Sequence, residues 1–211
     1  MVGVTFVLFL DAVSPSEVEQ IFKDIIESIT LQSSLETVSN FRLEDDIYYN
    51  QNTQSLAKFF TIMKNSDYPE SCFVFSENKN AIFADIHFLN LVEKFTSYSH
   101  LNPSKSVCNG KKFKLADFYI TVSKLSIGQS ATNAKGVFVE FEYIPCNNPN
   151  QCTNLMFEFI NGMFPEYWAS REEILMKIVQ AIPNFNTCNR YLPIHTMQQY
   201  LEFIKLFRKI N

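Results

Sequence analysis

The alternation of hydrophobic and polar residues predicts strands over most of the chain, with one clear helix near its start. The segment VGVTFVLFL is rich in β-branched and aromatic residues and nearly apolar throughout, which predicts a strand buried on both faces. Ser14, Pro15 and Glu17 then provide a cap, a first-turn proline and a capping-box acid. Apolar residues recur at helical spacing directly after them, so a helix is predicted here.

Strand-like runs follow in quick succession up to Ile144, separated by turns rich in Asn, Ser, Asp and Pro. The predicted strands are NFRLEDDIYYN, SLAKFFTIMKN, SCFVFS, NAIFADI, KLADFYITVSKLSI and KGVFVEFEYIP. The tetrapeptide ENKN, between SCFVFS and AIFAD, is predicted to form a hairpin turn. A short helix is predicted through HFLNLVEKF, since Leu89, Val92 and Phe95 share a face.

The C-terminal part, from about residue 153 to residue 211, is predicted to be helical. Its helices are CTNLMFEFINGMF, SREEILMKIVQAI and HTMQQYLEFIKLFRKI. Strands followed by helices, with no repeat or long linker, favour one α+β domain over residues 1–211. The expected architecture is a mainly antiparallel sheet of about seven or eight strands, flanked by helices. A sheet of that size without edge protection is typical of a β-barrel.

Composition narrows the function classes. The chain has 211 residues, 46% of them hydrophobic, and a net charge of −4, which is globular and gives no reason to expect direct nucleic-acid binding. The densest basic stretch, KSVCNGKKFK, is interpreted as a solvated loop leading into a strand, with a phosphate-binding patch as the alternative. Five scattered Cys without a signal peptide or membrane segment indicate reduced thiols in the cytosol or nucleus.

The cysteines and histidines give little support for a nucleophilic or zinc-binding site. Cys72 alternates with apolar residues in a strand, so a buried structural thiol is favoured over a nucleophile paired with His87. Cys146 and Cys152 are separated by five residues and have no second pair nearby, which favours a loop over a zinc site. No glycine pattern of a phosphate-binding loop occurs, and no cofactor or metal is expected.

The strongest enzymatic signal is the pair Glu140 and Glu142 on one face of a predicted strand. Two such carboxylates could hold a divalent metal, as in tunnel-shaped β-barrel triphosphatases. Those enzymes need several acidic and basic positions on different strands, and Ile144 stands where a continuing pattern would place Lys. A solvated or salt-bridged outer face is therefore favoured, and a metal-dependent phosphohydrolase using this pair remains the alternative function.

The polar segment NSDYPES, between two predicted strands, is interpreted as a turn. Asn65, Ser66 and Asp67 have side chains that satisfy local backbone donors, and Pro69 fixes the exit. Asp85 is predicted to cap the short helix that follows AIFAD.

Three segments together resemble one known family. They are NSDYPESCF with the following AIFAD hairpin, VEFEYIPC with Cys152 and a Phe-rich helix after it, and TMQQYLEFIKLFRK. With the start MVGVTFV, they resemble subunit 20 of the Mediator complex, also described as the TATA-binding-protein-related-factor-proximal protein. The residues that match the family, with structural or turn roles, are Asn65, Ser66, Asp67, Tyr68, Pro69, Cys72, Asp85, Glu140, Glu142 and Cys146.

This resemblance implies a nuclear, non-enzymatic subunit of the Mediator head module with a β-barrel flanked by helices. It implies a heterodimer with Mediator subunit 18, tethered by a C-terminal helix of subunit 8, inside the larger assembly that meets RNA polymerase II. Contact with the TATA-binding protein is a further possible partnership, for which the lysines at 105, 111, 112 and 114 are the sequence support.

Overall fold

The chain folds around one antiparallel sheet, and the computed structural model describes residues 2–32, 34–50, 59–77, 80–94, 98–100, 105–128, 134–168, 172–181 and 190–209. The strands are β1 (Val4–Asp11), β2 (Leu35–Asn50), β3 (Phe59–Asn65), β4 (Ser71–Ser76), β5 (Ala81–Asp85), β6 (Tyr98–His100), β7 (Ser106–Leu115), β8 (Phe118–Ile127) and β9 (Ala134–Tyr143). The helices are α1 (Pro15–Thr30), α2 (Phe88–Lys94), α3 (Pro149–Met163), α4 (Pro165–Trp168), α5 (Glu172–Ala181) and α6 (Pro193–Lys209).

The strands follow the order β1-β9-β8-β7-β2-β3-β4-β5, and each neighbouring pair is antiparallel. The short strand β6 pairs with β2 off this path. The two end strands, β1 and β5, do not pair with each other in the described part of the chain. The predicted α+β class, antiparallel sheet and helical C-terminal part are confirmed, while the sheet is open where a closed barrel was expected.

Strand β1 is buried on both faces, as its apolar sequence predicts. Phe6 and Leu8 belong to a cluster that includes residues of α1, α3 and α4, on what we call the outer face. Val7 and Phe9 belong to a second cluster, with α6, on what we call the inner face. A smaller cluster packs α2 against β3, β4 and β5. The sheet therefore carries helices on both sides.

The predicted cap of α1 is confirmed. The Ser14 hydroxyl accepts a hydrogen bond from the Glu17 main-chain N–H at 3.2 Å, and the Glu17 carboxylate accepts one from the Val13 N–H at 2.7 Å. The first bond satisfies an N–H group that the first helical turn leaves without a partner, and the second joins the helix to the residue before its cap. Val18, close to this end of α1, is buried in the outer-face cluster.

Two strand boundaries differ from the sequence prediction. The polar run KSVCNGKKFK was predicted to be a loop, but it forms most of β7. The segment KLADFYITVSKLSI was predicted to be one strand, but it contains the turn between β7 and β8. Ala116 in this turn has φ of 51°, a value at which glycine is usual. Because the turn contains no glycine, the sequence carries no clear turn signal here. Residues 55–58, 78, 79 and 95, parts of other predicted elements, lie outside the described residues.

Substituting Ala116 with Gly is expected to leave the stability of the protein unchanged or to raise it slightly. A positive φ destabilises the folded state by about 1 kcal/mol when the residue has a Cβ, and glycine removes this strain. The greater conformational freedom of glycine in the unfolded chain partly offsets the gain. Thermal unfolding of Ala116→Gly should therefore show an unchanged or raised Tm. Ala134→Gly, in a strand with ordinary φ, is the control and should lower Tm. A clear fall in Tm for Ala116→Gly would contradict the strain at this turn.

Candidate functional site

Helix α6 covers the inner face of the sheet and fills the space above it. Leu201 and Ile204 are buried there in one cluster with residues of β1, β2, β4 and β9. The ring of Phe138 on β9 lies 4.8 Å from that of Tyr200, and the ring of Phe9 on β1 lies 4.5 Å from that of Phe207. The apolar stripe predicted for the last helix therefore packs on the chain's own sheet.

Gln199 on α6 pairs with the free edge of β1. Its side-chain oxygen accepts a hydrogen bond from the Val7 N–H at 2.9 Å, and its Nε2 donates to the Thr5 carbonyl oxygen at 2.8 Å. The side-chain amide thus donates to and accepts from two main-chain groups on the same strand edge, which a neighbouring strand would otherwise satisfy. Gln199 is fully buried, so its amide replaces the strand that β1 lacks on this side.

Tyr191, just before α6, completes the same network. Its hydroxyl lies 3.1 Å from the Thr5 carbonyl oxygen and accepts a hydrogen bond from Gln199 Nε2 at 3.0 Å. The hydroxyl also lies 2.9 Å from the Thr196 hydroxyl. The Tyr191 main-chain N–H donates to the Asn147 carbonyl oxygen, which ties the start of α6 to the segment after β9.

A charged cluster lies under α6, on the strands β7 and β9 and in the turn after β3. Lys112 pairs with Asp67 at 2.7 Å and lies 3.6 Å from a Glu142 carboxylate oxygen. Glu140 faces Lys112 across Thr121 in the strand register, and it accepts a hydrogen bond from the Tyr200 hydroxyl at 2.8 Å. The remaining cavity beside these groups is about 10 Å³, which is room for a single water molecule.

Burial governs the protonation of this cluster. It raises the pKa of Glu140 to about 7, against the opposing charge of Lys112. Burial alone would lower the pKa of Lys112, but the carboxylates of Glu140 and Asp67 outweigh it, and the net pKa of Lys112 is raised. The pKa of Tyr200 is also raised, by burial and by the nearby Glu140 carboxylate. Glu140 therefore titrates near neutral pH while Lys112 stays charged.

A second buried carboxylate anchors the far end of α6. Asp45 on β2 is 1% exposed and lies 2.7 Å from the Arg208 guanidinium, which also donates to the Ser106 hydroxyl at 3.0 Å. Burial raises the pKa of Asp45 to about 6, although Arg208 counters the shift. Both ends of the helix are thus attached to the sheet by polar contacts.

The segment NSDYPES forms the turn between β3 and β4. The Asn65 side-chain oxygen accepts a hydrogen bond from the Asp67 N–H at 2.8 Å, and the Ser66 hydroxyl accepts one from the Arg42 N–H at 2.9 Å. Tyr68 packs edge-on against Phe73 and lines, with Pro69, a hollow of about 260 Å³. The turn thus places the Asp67 carboxylate next to the Lys112 ammonium group on the inner face.

The structure brings some motif residues together and leaves others apart. Asn65, Asp67, Tyr68, Glu140 and Glu142 line the small cavity under α6. The others lie elsewhere. Cys72 is buried in the cluster under α2, Asp85 accepts a hydrogen bond from the His87 N–H before that helix, and Cys146 lies between β9 and α3.

Two interpretations from the sequence are wrong in their placement. Glu140 and Glu142 were expected on an outer face, but they lie on the inner face, and Glu140 is 5% exposed. The salt bridge that was the alternative to solvation is present at Glu142, through Lys112. That lysine was assigned to a solvated loop, yet its side chain is 12% exposed within β7. Lys105 from the same stretch pairs with Glu44 at 3.0 Å.

The polar groups of α6 went unnoticed in the sequence. Gln199 lies one turn after His195 and one turn before Phe203, within the apolar stripe, and a glutamine in such a stripe signals a buried hydrogen bond. Asp45 and Arg208 are far apart in sequence, and no local pattern connects them. Among the described residues, no three His, Cys, Asp or Glu side chains are grouped to hold a metal, and no helix is long and apolar enough to cross a membrane.

Comparison with known proteins gives consistent matches. A family model described as TATA-binding related factor (TRF) of subunit 20 of Mediator complex matches residues 1–205. The Mediator of RNA polymerase II transcription subunit 20 from Gallus gallus is 31% identical over 153 residues, covering 72% of this chain and 67% of that protein. The protein of the same name from Anopheles gambiae is 32% identical over 161 residues, covering 70% of this chain and 69% of that protein.

The solved structures that resemble this chain share less sequence identity with it than the relatives above. A chain in the structure of the Schizosaccharomyces pombe Mediator head module is 10% identical, with a TM-score of 0.42, covering 78% of this chain and 96% of that chain. The PH1819 protein from Pyrococcus horikoshii is 12% identical with a TM-score of 0.42, covering 95% of this chain and 99% of that chain.

Replacing Gln199 with Ala is expected to lower the free energy of unfolding by about 2 to 4 kcal/mol, because the Val7 N–H and a Thr5 lone pair lose a buried partner. Gln198→Ala makes the same chemical change one residue away on α6, where the side-chain oxygen has no hydrogen-bond partner in the described structure. It should cost less than about 1 kcal/mol. Denaturant unfolding measures both, and equal losses would contradict the edge-pairing role.

Stability is expected to fall as the pH rises from about 6 to 8. The pKa of Glu140 is about 7 in the folded protein and near its ordinary 4.5 when unfolded, so the folded state binds more protons between these values. The stabilisation from this group is complete below its unfolded pKa and is lost as the pH rises through 7. Glu140→Gln should flatten the curve, while Asp45→Asn should keep the slope above pH 6.5, since the pKa of Asp45 is about 6. A slope that Glu140→Gln leaves unchanged would contradict this assignment.

Proposed function

The chain belongs to the Mediator subunit 20 family, and on that basis we propose that it is a non-enzymatic subunit of the Mediator head module that regulates RNA polymerase II transcription in the nucleus. The match over residues 1–205 carries this proposal. The relatives are named as subunits of Mediator of RNA polymerase II transcription.

The filled inner face supports a structural role. An enzyme that works on a substrate inside a β-tunnel needs open space beside its charged groups. Here Tyr200 donates directly to Glu140, and the adjacent cavity of about 10 Å³ has no room for a nucleotide. Lys112 is already held by Asp67. These contacts suit a scaffold whose interior is stabilised by its own helix.

The partners follow from the family. We propose a heterodimer with Mediator subunit 18, tethered by a C-terminal helix of subunit 8, within the larger Mediator assembly at RNA polymerase II. We further propose that the motif residues act structurally, as Asp67 does by holding Lys112. Contact with the TATA-binding protein through the basic stretch is a weaker proposal, because Lys105 and Lys112 are paired with carboxylates within the chain.

A native purification tests the proposed role. The chromosomal copy is tagged, purified from nuclear extract, separated by size exclusion and identified by mass spectrometry. The chain should elute in a very large assembly together with Mediator subunits 18 and 8. Elution as a small free species, with no affinity for purified subunit 18, would contradict the proposal.

The phosphohydrolase alternative makes a separate prediction. If Glu140 and Glu142 bound a metal for catalysis, the chain would release phosphate from a nucleoside triphosphate with manganese, and Glu140→Ala would abolish the release. We expect no release above buffer for either protein, because α6 occupies the space over Glu140. Manganese-dependent release that Glu140→Ala removes would establish the alternative.

A further inference from the structure

Strand β5 presents an unpaired edge beside an exposed apolar hollow. It is the end strand of the sheet, and in the described part of the chain only β4 pairs with it. Ile82 and Phe83 are 59% and 54% exposed, although their types are among those usually buried. Exposed apolar edges promote pairing with another chain, and proteins normally protect them with charges, prolines or bulges.

The backbone of β5 shows which groups are available. The Ser76 N–H donates to Asn80 O, and the Ile86 N–H donates to Glu70 O, so Asn80 and Ile86 face β4. Because antiparallel residues alternate in hydrogen-bonding direction, Ala81 and Phe83 direct their main-chain N–H and C=O groups away from β4. Ala81 packs against the inner-face cluster, whereas Phe83 is more than half exposed, and we therefore consider the section of the edge around Phe83.

A hollow of about 480 Å³ lies next to this section, between β5 and α2. It is lined by Ala84, Asp85, His87, Phe88, Asn90 and Leu91. Leu91 is 53% exposed, and Phe88 packs against the cluster beneath α2. A strand added to β5 would direct alternate side chains to the two faces of the sheet, and those on the α2 side would lie beside this hollow.

The chemistry of the edge selects its occupant. Outward N–H and C=O groups in strand register require an extended segment, because a helix has no free backbone groups along its length to pair with them. The hollow lies on the α2 face of the sheet, so it requires apolar side chains at the alternate positions of the occupant that point to this face. The exposed carboxylates of Glu70 and Asp85 at one end of the strand favour a Lys or Arg at the end of the occupant that lies there.

We propose that the free edge of β5 and the adjacent hollow form a docking site for an extended, alternately apolar segment with a basic end, contributed by a partner protein. This inference rests on the proposed heterodimer, and within it the segment comes from subunit 18. The partner strand continues the sheet from β5, and the hollow beside α2 receives one of its apolar side chains.

Proline substitution at Phe83 tests the backbone pairing. Phe83→Pro and Phe83→Ala both remove the ring, but only proline also removes the outward N–H and blocks the edge. In binding titrations with purified subunit 18, Phe83→Pro should bind at least tenfold more weakly than Phe83→Ala. Hydrogen exchange on the native chain should show a fast Phe83 amide that becomes protected in the complex.

Leu91→Glu tests the hollow with a variant that keeps the β5 backbone unchanged. It should weaken binding at least tenfold, whereas Leu155→Glu, at a residue of α3 with similar exposure, should not. Two results together would overturn this inference and leave the heterodimer intact, provided that the wild type binds tightly. Phe83→Pro would bind subunit 18 with the same affinity as Phe83→Ala, and Leu91→Glu would bind it with the same affinity as Leu155→Glu. No binding by wild type would overturn both.

Hydrogen exchange of the Phe83 amide in the isolated protein gives one more test. A Phe83 amide that is already protected in the isolated monomer would mean that the chain covers its own edge, which overturns the inference. Protection that appears with dimerisation of the isolated chain and is lost in Phe83→Pro would assign the edge to a second copy, which also overturns it.

Discussion

The free edge of β1 depends on one side chain. An open sheet leaves the backbone groups of its end strands without partners, and buried groups of this kind cost more than most single contacts contribute. Gln199 satisfies both the Val7 N–H and the Thr5 C=O, and Tyr191 adds a second bond to that same oxygen. These bonds fix the rotation and the height of α6 on the inner face. The apolar residues of the helix then fill the interior at one register.

The charged cluster under α6 contributes to the same specificity. A buried carboxylate is expensive to desolvate, and the pairs formed by such groups often specify an arrangement more than they stabilise it. Glu140 is satisfied by Tyr200 from the helix side, while Lys112 lies opposite it across β8 and is held by Asp67 from the turn after β3. Helix, sheet and turn thus meet in one network. The near-neutral pKa of Glu140 is a by-product of this burial and needs no catalytic purpose.

Much of the fold could be predicted from local patterns, and little of the interior network could. Runs of β-branched and aromatic residues identify β1, β4 and β9, and the capping box identifies α1, because these signals are local in sequence. Alternation separates Glu140 from Val139 onto opposite faces, but it cannot say which face a later helix will cover. Strand β7 was predicted to be a loop because its lysines are typical of a solvated segment. The register of the strand places the Lys112 side chain on the inner face. Contacts such as Asp45 with Arg208 join distant residues, and one sequence carries no local trace of them.

The pairing of Gln199 with β1 joins nearly the first and the last described elements of the chain, 192 residues apart. During translation β1 leaves the ribosome before every other described element, and α6 follows them all. Until α6 has been synthesised, the nascent sheet therefore has an uncovered β1 edge and an uncovered hydrophobic inner face, the kind of surface that aggregates when left alone. The sequence separation also predicts slow, late consolidation of the interior. The yield of folded protein is therefore expected to depend on protection of this surface during synthesis as well as on the final stability.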